Sequence, residues 1–546
     1  MTKPFKLNKS KLLMSMVLSS FIGVSSHAAN VPENVKLAKV QELVRGNGGD
    51  EIQGLDPHKV EGVPEHQVIN NLIETLVITD PNGNLIPGNA THWETTDNMT
   101  WTFHLRPEAK WSNGDPVTAH DYVFAWRRIV TPETASPYAS YLEYAHILNA
   151  AEIIAGNAKP DTLGIKAIDD LTLQVTLSTP LSYLPAMLPH YALAPLHQKT
   201  IEQHGDAWTK PGNFVGNAAY NLSEWVTNEK IVLTRNPLYW DNDKTVIEKV
   251  TFIPAQPNSE IQRYRAGEID MTYGGGIPIE LFAKLKKELP DELKIGPLLC
   301  SYYLEINNQD EVMKNPLVRE ALKLGTDQKI ITDKVLAKGQ IPAWGFTPPS
   351  INGVDLEPHA WYNETQEERN ERAIKLLEQA GYTKDNPLKV QFLYNTSDIH
   401  QKVAVALRQI WKKNIGVDVE LVNQEWKTFL DSRHNGNHQI ARSGWCADYN
   451  EATSFLNTMV SNSSNNTAFY KSDEFDALIK SAVNNSNESE RNKIYQEAEK
   501  LLDKDSAIIP IYYYINDRMI KPHVGGYTNS HPTDSIFVKD LYIIDK

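Results

Sequence analysis

Cysteine and long apolar segments are both scarce in this 546-residue chain. Cys300 and Cys446 are its only cysteines, and the closely spaced ligand pairs of a zinc site are missing. After the first 28 residues, no apolar stretch approaches the roughly 20 residues that a membrane-spanning helix needs. The sequence therefore argues against a structural zinc protein and against insertion into a membrane.

Positive charge is also in short supply. The chain carries 54 Lys and Arg against 68 Asp and Glu, which gives a formal net charge of −14. Because phosphate backbones demand a basic face, we expect no nucleic-acid partner. The length exceeds the roughly 250–300 residues that one hydrophobic core supports, so two or more domains are expected.

The N-terminus has the pattern of an export signal. An apolar run from Leu12 to Val24 follows a basic segment, and small residues occupy Ser26 and Ala28, where a signal peptidase would cleave. Residues 1–28 are therefore predicted to be a cleavable signal peptide. Two cysteines in an exported protein predict one disulfide bond.

Mixed α/β structure is predicted along the rest of the chain. Strict alternation of apolar and polar residues indicates strands at 101–105 and 171–177. A helix is predicted over 366–380, with Thr365 as its N-cap and Glu368 completing a capping box. No polar linker separates the domains, which favours two lobes joined by crossing strands and a hinge between them.

Motifs of catalysis are absent. The chain contains no G-x-S-x-G, H-E-x-x-H or Walker A sequence, so we expect no catalytic residue, metal or cofactor. One alternative remains, an exported hydrolase with Cys446 as a thiol nucleophile and His400 or His434 as its base. The disulfide is the better interpretation of the two cysteines.

The segment Arg442–Asn450 is the most informative part of the sequence. It places a cation, an aromatic ring, a cysteine and the carboxylate of Asp448 within nine residues. A fixed carboxylate beside an aromatic wall suits the binding of a small cationic group, since a desolvated ammonium must be paired. The alternative is a strand end followed by an ordinary loop aspartate.

Nine sequence segments, spread in order over essentially the whole mature chain, match a known family: Leu55–His58, Glu61–Pro64, Trp101–Arg106, Ala109–Ala119 (AKWSNGDPVTA), Thr134–Tyr141 (TASPYASY), Arg263–Met271, Tyr394–Asp398, Asn423–Leu430 (NQEWKTFL) and Gly444–Asn450 (GWCADYN). In these segments the chain resembles the oligopeptide-binding proteins of ABC-type peptide importers. This solute-binding family also includes dipeptide- and murein-tripeptide-binding members.

The resemblance implies an α/β, two-lobed periplasmic-binding-protein fold of type II, with three domains. Lobe one would combine domain I, residues 29–73, 198–299 and 516–546, with an inserted domain II, residues 74–197. Lobe two would be domain III, residues 300–515. The lobes would close on the ligand about a hinge.

The resemblance also implies a function and its partners. A monomer in the Gram-negative periplasm would capture peptides of roughly two to five residues, largely independent of their sequence. It would deliver them to the membrane subunits of an ABC permease. The same fold with another cargo, such as a murein tripeptide, haem or a metal chelate, is the alternative.

The resemblance also implies the residues of the binding site. Asp448 would pair with the peptide α-ammonium, and Tyr138 and Trp445 would lie near the peptide N-terminus. Cations would neutralise the C-terminal carboxylate at positions that depend on peptide length: Arg442, His400 and Arg433. Other positions would line the cleft: Glu61, Val63, His190, Glu305, Trp426, His434, Gly444 and Cys446, with Cys446 bonded to Cys300.

Two positions depart from the family pattern. Leu336 replaces a lysine that serves shorter peptides, and the glycine-rich loop Gly274–Gly276 is one residue longer and lacks asparagine. Both changes leave the preferred peptide length open.

Overall fold

The computed structural model describes residues 29–49, 51–60, 62–351, 356–463, 465–485 and 487–545, without the side chains of Trp426 and Lys427. The predicted signal peptide, residues 1–28, and Glu61 lie outside the described residues. Within the described ranges, no helix has both the length and the apolar composition needed to cross a membrane.

The strands are short in most of the chain and long at two places in its second half. They are β1 (Glu42–Gly46), β2 (Val77–Thr79), β3 (Leu85–Pro87), β4 (Ala90–Thr95), β5 (Thr100–Leu105), β6 (Ile165–Asp169), β7 (Thr172–Thr176), β8 (Tyr220–Val226), β9 (Lys230–Arg235), β10 (Lys249–Ile253), β11 (Leu293–Ile306), β12 (Ile341–Pro342), β13 (Lys389–Asn395), β14 (Asp418–Gln424), β15 (Ile440–Cys446), β16 (Ile508–Met519), β17 (Val524–Gly525) and β18 (Tyr542–Ile543).

Helices of very different length separate these strands. They are α1 (Val63–Ile69), α2 (Ala119–Val130), α3 (Ala139–Tyr144), α4 (Ala150–Ile154), α5 (Leu184–Met187), α6 (Gln198–His204), α7 (Pro257–Ala266), α8 (Ile279–Glu288), α9 (Pro316–Gly325), α10 (Gln328–Ile330), α11 (Gln366–Gln379), α12 (Asp398–Ile415), α13 (Trp426–His434), α14 (Thr453–Leu456), α15 (Asp473–Val483) and α16 (Glu488–Asp505).

The sheets divide between two lobes. Lobe one contains two four-stranded sheets, with strand orders β1-β10-β9-β8 and β4-β5-β7-β6. Lobe two contains a six-stranded sheet in the order β12-β16-β11-β15-β13-β14. A large buried cluster extends from lobe one into lobe two, where it includes Phe346, Phe455 and Tyr495. A second cluster packs helices of lobe two against its sheet.

Two long strands connect the lobes. β11 and β16 pair in antiparallel register from Leu293↔Met519 to Glu305↔Ile508, and the register shifts between Pro297 and Ser301. This shift lies where the sequence placed the boundary between lobes, at 299/300. The division into three numbered domains stays a prediction.

The lobes touch away from the crossing strands. The hydroxyl of Thr453 donates to Tyr183 Oη at 3.1 Å, and Arg491 Nη1 donates to Ser182 Oγ at 2.9 Å. In both contacts a lobe-two residue meets the segment just before α5, so the space between the lobes is closed at this end.

Local patterns predicted several elements well. β5 and β7 fall within one residue of the predicted strands, and α11 has the predicted capping box between Thr365 and Glu368. The box forms because Thr365 Oγ1 accepts the Glu368 N–H while Glu368 accepts the Thr365 N–H, which satisfies two otherwise unpaired donors.

Candidate functional site

A cavity of about 280 Å³ lies where the two lobes meet. Lobe one supplies the start of α1 and the segment 531–535, and lobe two supplies the end of β15 and the bend after it. The sequence-predicted residues in its lining are Val63, Tyr138, His190, Cys300, Cys446 and Asp448. Folding therefore brings together residues that are far apart in the chain.

β15 is paired along its length on one side and only at its start on the other. β11 pairs with it from Cys300↔Cys446 to Ile306↔Ile440, whereas β13 reaches only Ile440 and Ala441. Within the described part of the chain, residues 442–446 therefore have one open strand edge. An extended chain can add to such an edge through main-chain hydrogen bonds.

The register decides which main-chain groups face this open edge. The Cα atoms of Cys300 and Cys446 are 4.0 Å apart, as in a non-hydrogen-bonded pair of antiparallel strands. The next residue, Ala447, donates its N–H to the Leu299 carbonyl at 2.8 Å. The N–H and C=O groups of Gly444 and Cys446 therefore point away from β11, toward the open edge.

The predicted disulfide between Cys300 and Cys446 is confirmed. It joins β11 to β15 at the end of the open edge that lies nearest the cavity. The alternative of a Cys446 thiol nucleophile is wrong for this structure, because its sulfur is already bonded and the chain has no free cysteine.

Asp448 lies two residues beyond β15 in the cavity wall. Its carboxylate forms no hydrogen bond or ion pair with another described residue, whereas its main-chain N–H donates to Ser454 Oγ at 2.8 Å. Burial raises the pKa of this carboxyl to about 7, because desolvation disfavours the charged form. A cation entering the cavity would meet a carboxylate that has no competing partner.

Three rings build an uncharged wall beside this carboxylate. Their centroids are 4.6 Å apart for Tyr138 and His190, 4.5 Å for His190 and Tyr191, and 5.7 Å for Tyr138 and Tyr191. Burial lowers the pKa of His190 well below its usual value, and its Nδ1 accepts the N–H of Ala192 at 3.2 Å. This histidine is therefore neutral and serves as packing surface.

Arg442 lies on the same face of β15 as Gly444 and outside the cavity lining. Its guanidinium donates to Tyr514 Oη at 3.0 Å and lies 5.1 Å from the ring centre of Tyr302, but it pairs with no described carboxylate. A Cβ atom on Gly444 would lie 3.3 Å from Arg442 Nη2. The glycine thus leaves room for the guanidinium to lie along the strand on the Asp448 side.

His400 lies near Arg442 on the same side of the sheet. Its ring centroid is 5.7 Å from that of Tyr302. Burial and then the charge of Arg442 lower its pKa to about 3, and its Nδ1 has no described hydrogen-bond partner. His400 is therefore uncharged in this environment, and its pairing with a peptide carboxylate stays a prediction.

Arg433 is separated from these two residues. It forms an ion pair with Glu305 at 2.6 Å and donates to Ser443 Oγ and Thr467 Oγ1, both at 2.9 Å. Adjacent residues of a strand point to opposite faces, so Arg433 lies on the face of β15 opposite to Arg442. The structure does not bring the three predicted cations together, and Glu305 already balances the charge of Arg433.

The other predicted residues lie outside the cavity lining or outside the described part of the chain. Trp445 donates its indole N–H to the Ser454 carbonyl at 2.6 Å and packs against the large buried cluster that spans both lobes. His434 is exposed at the end of α13, outside the cavity lining. Glu61 and the side chain of Trp426 lie outside the described residues, and Leu336 is buried in the lobe-two core.

Sequence reasoning missed the part of the lining that the C-terminal segment provides. His66 Nε2 lies 3.1 Å from Ser535 Oγ, and Gln67 donates to the Asp534 carbonyl at 2.8 Å. The helical spacing of His66, three residues after Val63, could have indicated a shared face. No motif marks residues 531–535, which return to α1 only through the tertiary fold.

A model of the family described as "Bacterial extracellular solute-binding proteins, family 5 Middle" matches residues 84–467. The chain belongs to this family. Its membership confirms the resemblance and the two-lobed α/β fold, and the family is one of binding proteins.

Relatives of this family 5 protein cover nearly its whole length. The periplasmic oligopeptide-binding protein OppA of Salmonella typhimurium is 54% identical, over 98% of this chain and 99% of the relative. A structure of Haemophilus influenzae OppA in complex with RPPGFSPFR is 49% identical, with a TM-score of 0.83, over 93% of this chain and all of that one. The Escherichia coli murein tripeptide-binding protein MppA is 44% identical, with a TM-score of 0.84, over the same shares.

Proposed function

We propose that this family 5 protein captures short peptides between its lobes and delivers them to an ABC-type permease. The observation that carries the proposal is the open edge of β15, which ends beside the unpaired carboxylate of Asp448. An extended peptide offers the main-chain groups that such an edge lacks, and its α-ammonium is the cation that such a carboxylate lacks.

Asp448 sets the register of the peptide in this proposal. The carboxylate has no described partner, so pairing with an ammonium replaces no existing interaction. The rings of Tyr138, His190 and Tyr191 form an uncharged wall beside it. A charge pair shielded from water is stronger than an exposed one, which favours peptides with a free N-terminus.

Main-chain pairing explains binding that does not depend on peptide sequence. Gly444 and Cys446 direct their N–H and C=O groups toward the open edge. Every peptide carries the same main-chain donors and acceptors, so pairing with these groups gives affinity without selecting side chains. Water can adapt the remaining space to different side chains.

The spacing of Asp448 and the Arg442 guanidinium suits peptides of about three or four residues. The guanidinium lies next to Gly444, four residues before Asp448, which is at most about 13 Å in extended chain at roughly 3.3 Å per residue. Arg442 has no described carboxylate partner, and arginine binds carboxylates with two donors. The size range of two to five residues includes this length.

The proposed cellular location is inferred from the names of the relatives. The cited oligopeptide-binding relative is periplasmic by name, and we propose export of this chain to the same compartment through residues 1–28. We also propose a monomer that meets the permease in its closed form. A murein peptide is the second candidate cargo, since the structure of MppA matches this one as closely as that of OppA.

Titration calorimetry on unfolded, dialysed and refolded protein tests the proposal. A tripeptide should bind, and its N-acetylated twin should bind at least 100-fold more weakly, about 3 kcal/mol, because Asp448 is left buried without a cation. Asp448→Asn should remove most of this discrimination, with Asp476→Asn on α15 as the control. Equal affinity of the two peptides for the unmodified protein would contradict the role of Asp448.

The same titration separates the cargo classes. A murein tripeptide that binds much more tightly than ordinary tripeptides would favour the second candidate. Binding of haem, seen as an absorbance band, with no binding of any peptide would overturn the proposal.

A further inference from the structure

One buried ion pair joins the two lobes. Lys338 belongs to lobe two, between the π-helical segment Ile331–Leu336 and β12, and Asp517 lies on β16 beyond the shift in register with β11. Lys338 Nζ is 2.8 Å from Asp517 Oδ2, and the side chains are 4% and 1% exposed. Because unpaired charges are costly inside a protein, each of these residues needs the other.

The same pair holds the glycine-rich loop. Lys338 Nζ also donates a hydrogen bond to the carbonyl of Ile277 at 2.8 Å. The N–H of Gly275 donates to the carbonyl of Asp517 at 2.9 Å. The loop is therefore fixed at two points, and its first residues, Tyr273 and Gly274, line the cavity.

The backbone around Lys338 is unusual. Ala337 has φ of 51° and Gly339 has φ of 106°, so left-handed residues flank the lysine on both sides. This conformation is unfavourable for alanine because of its Cβ atom. Such strain persists where surrounding contacts over-determine the conformation, and the contacts of Lys338 cross the lobe boundary.

A second pair across the lobes differs in its environment. Lys402 on α12 pairs with Glu280 on α8, and these side chains are 41% and 64% exposed. Exposed pairs contribute little because water and salt screen them. Lys402 therefore provides a matched control, a lysine that also bridges the lobes but is not buried.

We propose that Lys338 is a positioning residue that sets how long the ligand stays bound. Through Asp517 and Ile277 it holds the loop 273–277 against the cavity and ties lobe two to lobe one. Lys338 is not part of the cavity lining, so it acts through the loop and through lobe closure. The ligand-binding part of this inference rests on the proposed function, whereas the effect on the loop does not.

The double variant Lys338→Met/Asp517→Asn tests the proposal. It removes both charges and leaves no buried charge unpaired, so the protein should fold. Stopped-flow measurements with a fluorescent tripeptide should show a dissociation rate at least tenfold higher and an association rate within about twofold of the unmodified protein. Amide hydrogen exchange at residues 274–277 should also become faster, and Lys402→Met should change neither quantity.

The outcomes distinguish the two proposals. An unchanged dissociation rate together with unchanged exchange of the loop, even with a lower melting temperature, would show that the pair only stabilises the fold and would overturn the inference. If the unmodified protein binds no tripeptide, the proposed function fails. In that case, faster exchange of residues 274–277 still supports the positioning of the loop by Lys338, and unchanged exchange overturns it.

Discussion

Ser454 holds both Asp448 and Trp445. Its side-chain oxygen accepts the main-chain N–H of Asp448 at 2.8 Å, and its carbonyl accepts the indole N–H of Trp445 at 2.6 Å. The carboxylate and the ring that the sequence places three residues apart are thus fixed by one residue of the next helix, α14. This relationship explains how a carboxylate without a side-chain partner keeps a defined position.

Ser454→Ala should weaken the binding of a tripeptide by about five- to tenfold. The substitution removes a hydrogen bond worth roughly 1 kcal/mol and frees the main chain of Asp448, although Ser454 lies outside the cavity lining. Titration calorimetry measures the effect. Thr458→Ala removes a buried hydroxyl in the same segment that donates only to Phe455 and should leave the affinity unchanged; equal losses in both variants would contradict the positioning role.

Affinity for peptides with a free N-terminus should fall as the pH drops below about 7. The pKa of Asp448 is raised to about 7, so below that pH the carboxyl must lose a proton before it pairs with the ammonium. The loss should approach tenfold per pH unit. Burial holds the pKa of His66 at about 4, so this histidine does not titrate between pH 5 and 7. Titrations in buffers of different ionisation heat should show proton release, and Asp448→Asn should abolish it.

Asp448→Asn should make the ligand-free protein more stable at pH 8. The folded pKa of about 7 exceeds the usual value of 3.8, so ionisation is easier in the unfolded chain, and stability is lost as the pH rises from about 4 to about 7. Asparagine removes this penalty. Thermal unfolding should show a higher melting temperature for the variant at pH 8 and little difference at pH 4; a lower melting temperature at pH 8 would contradict a cost of burying the ionised carboxylate.

Arg442→Met should remove the preference for a free C-terminus. Arg442 is the cation on its face of β15 without a described carboxylate partner, so it should distinguish a tripeptide from its C-terminal amide. We expect a discrimination of about 10- to 100-fold in the unmodified protein, as for a charge-assisted hydrogen bond of roughly 1.5–3 kcal/mol, and near-equal affinities in the variant. Calorimetry with both peptides checks this.

Arg433→Met provides the contrast, because the charge of Arg433 is already balanced by Glu305. Its substitution should lower stability more than it changes the preference for a carboxylate. If Arg433→Met abolished the preference and Arg442→Met did not, the assignment of the two arginines would have to be reversed.

Features that depend on residues close together in the chain, or on the count of a residue type, could be predicted from the sequence. The capping box of α11 depends on Thr365 and Glu368, three residues apart, and it forms as predicted. The disulfide followed from a count of two cysteines in an exported chain. Asp448 was selected because it matches a position of the family, and its burial explains its raised pKa, which no local pattern in the sequence indicates.

Features that arise from packing between distant segments could not be predicted. His66 meets Ser535 across 469 positions of the chain, and no local pattern records such a contact. Arg433 was grouped with Arg442 through the family resemblance. Arg442 lies on one face of β15, whereas Arg433 on α13 contacts Ser443 on the opposite face and pairs with Glu305. The burial of Lys338 depends on Asp517 and Ile277, which belong to other segments.

The open edge of β15 has a second consequence, which concerns solubility. An exposed strand edge is a template on which another copy of the same protein can pair, and natural proteins cover or interrupt such edges. Residues 442–446 lie next to a cavity that lobe one covers from the other side. A flexible chain can enter that space, whereas the flank of a folded neighbour cannot. Lobe one, which encloses the ligand against this edge, therefore also prevents two copies of the protein from pairing through β15.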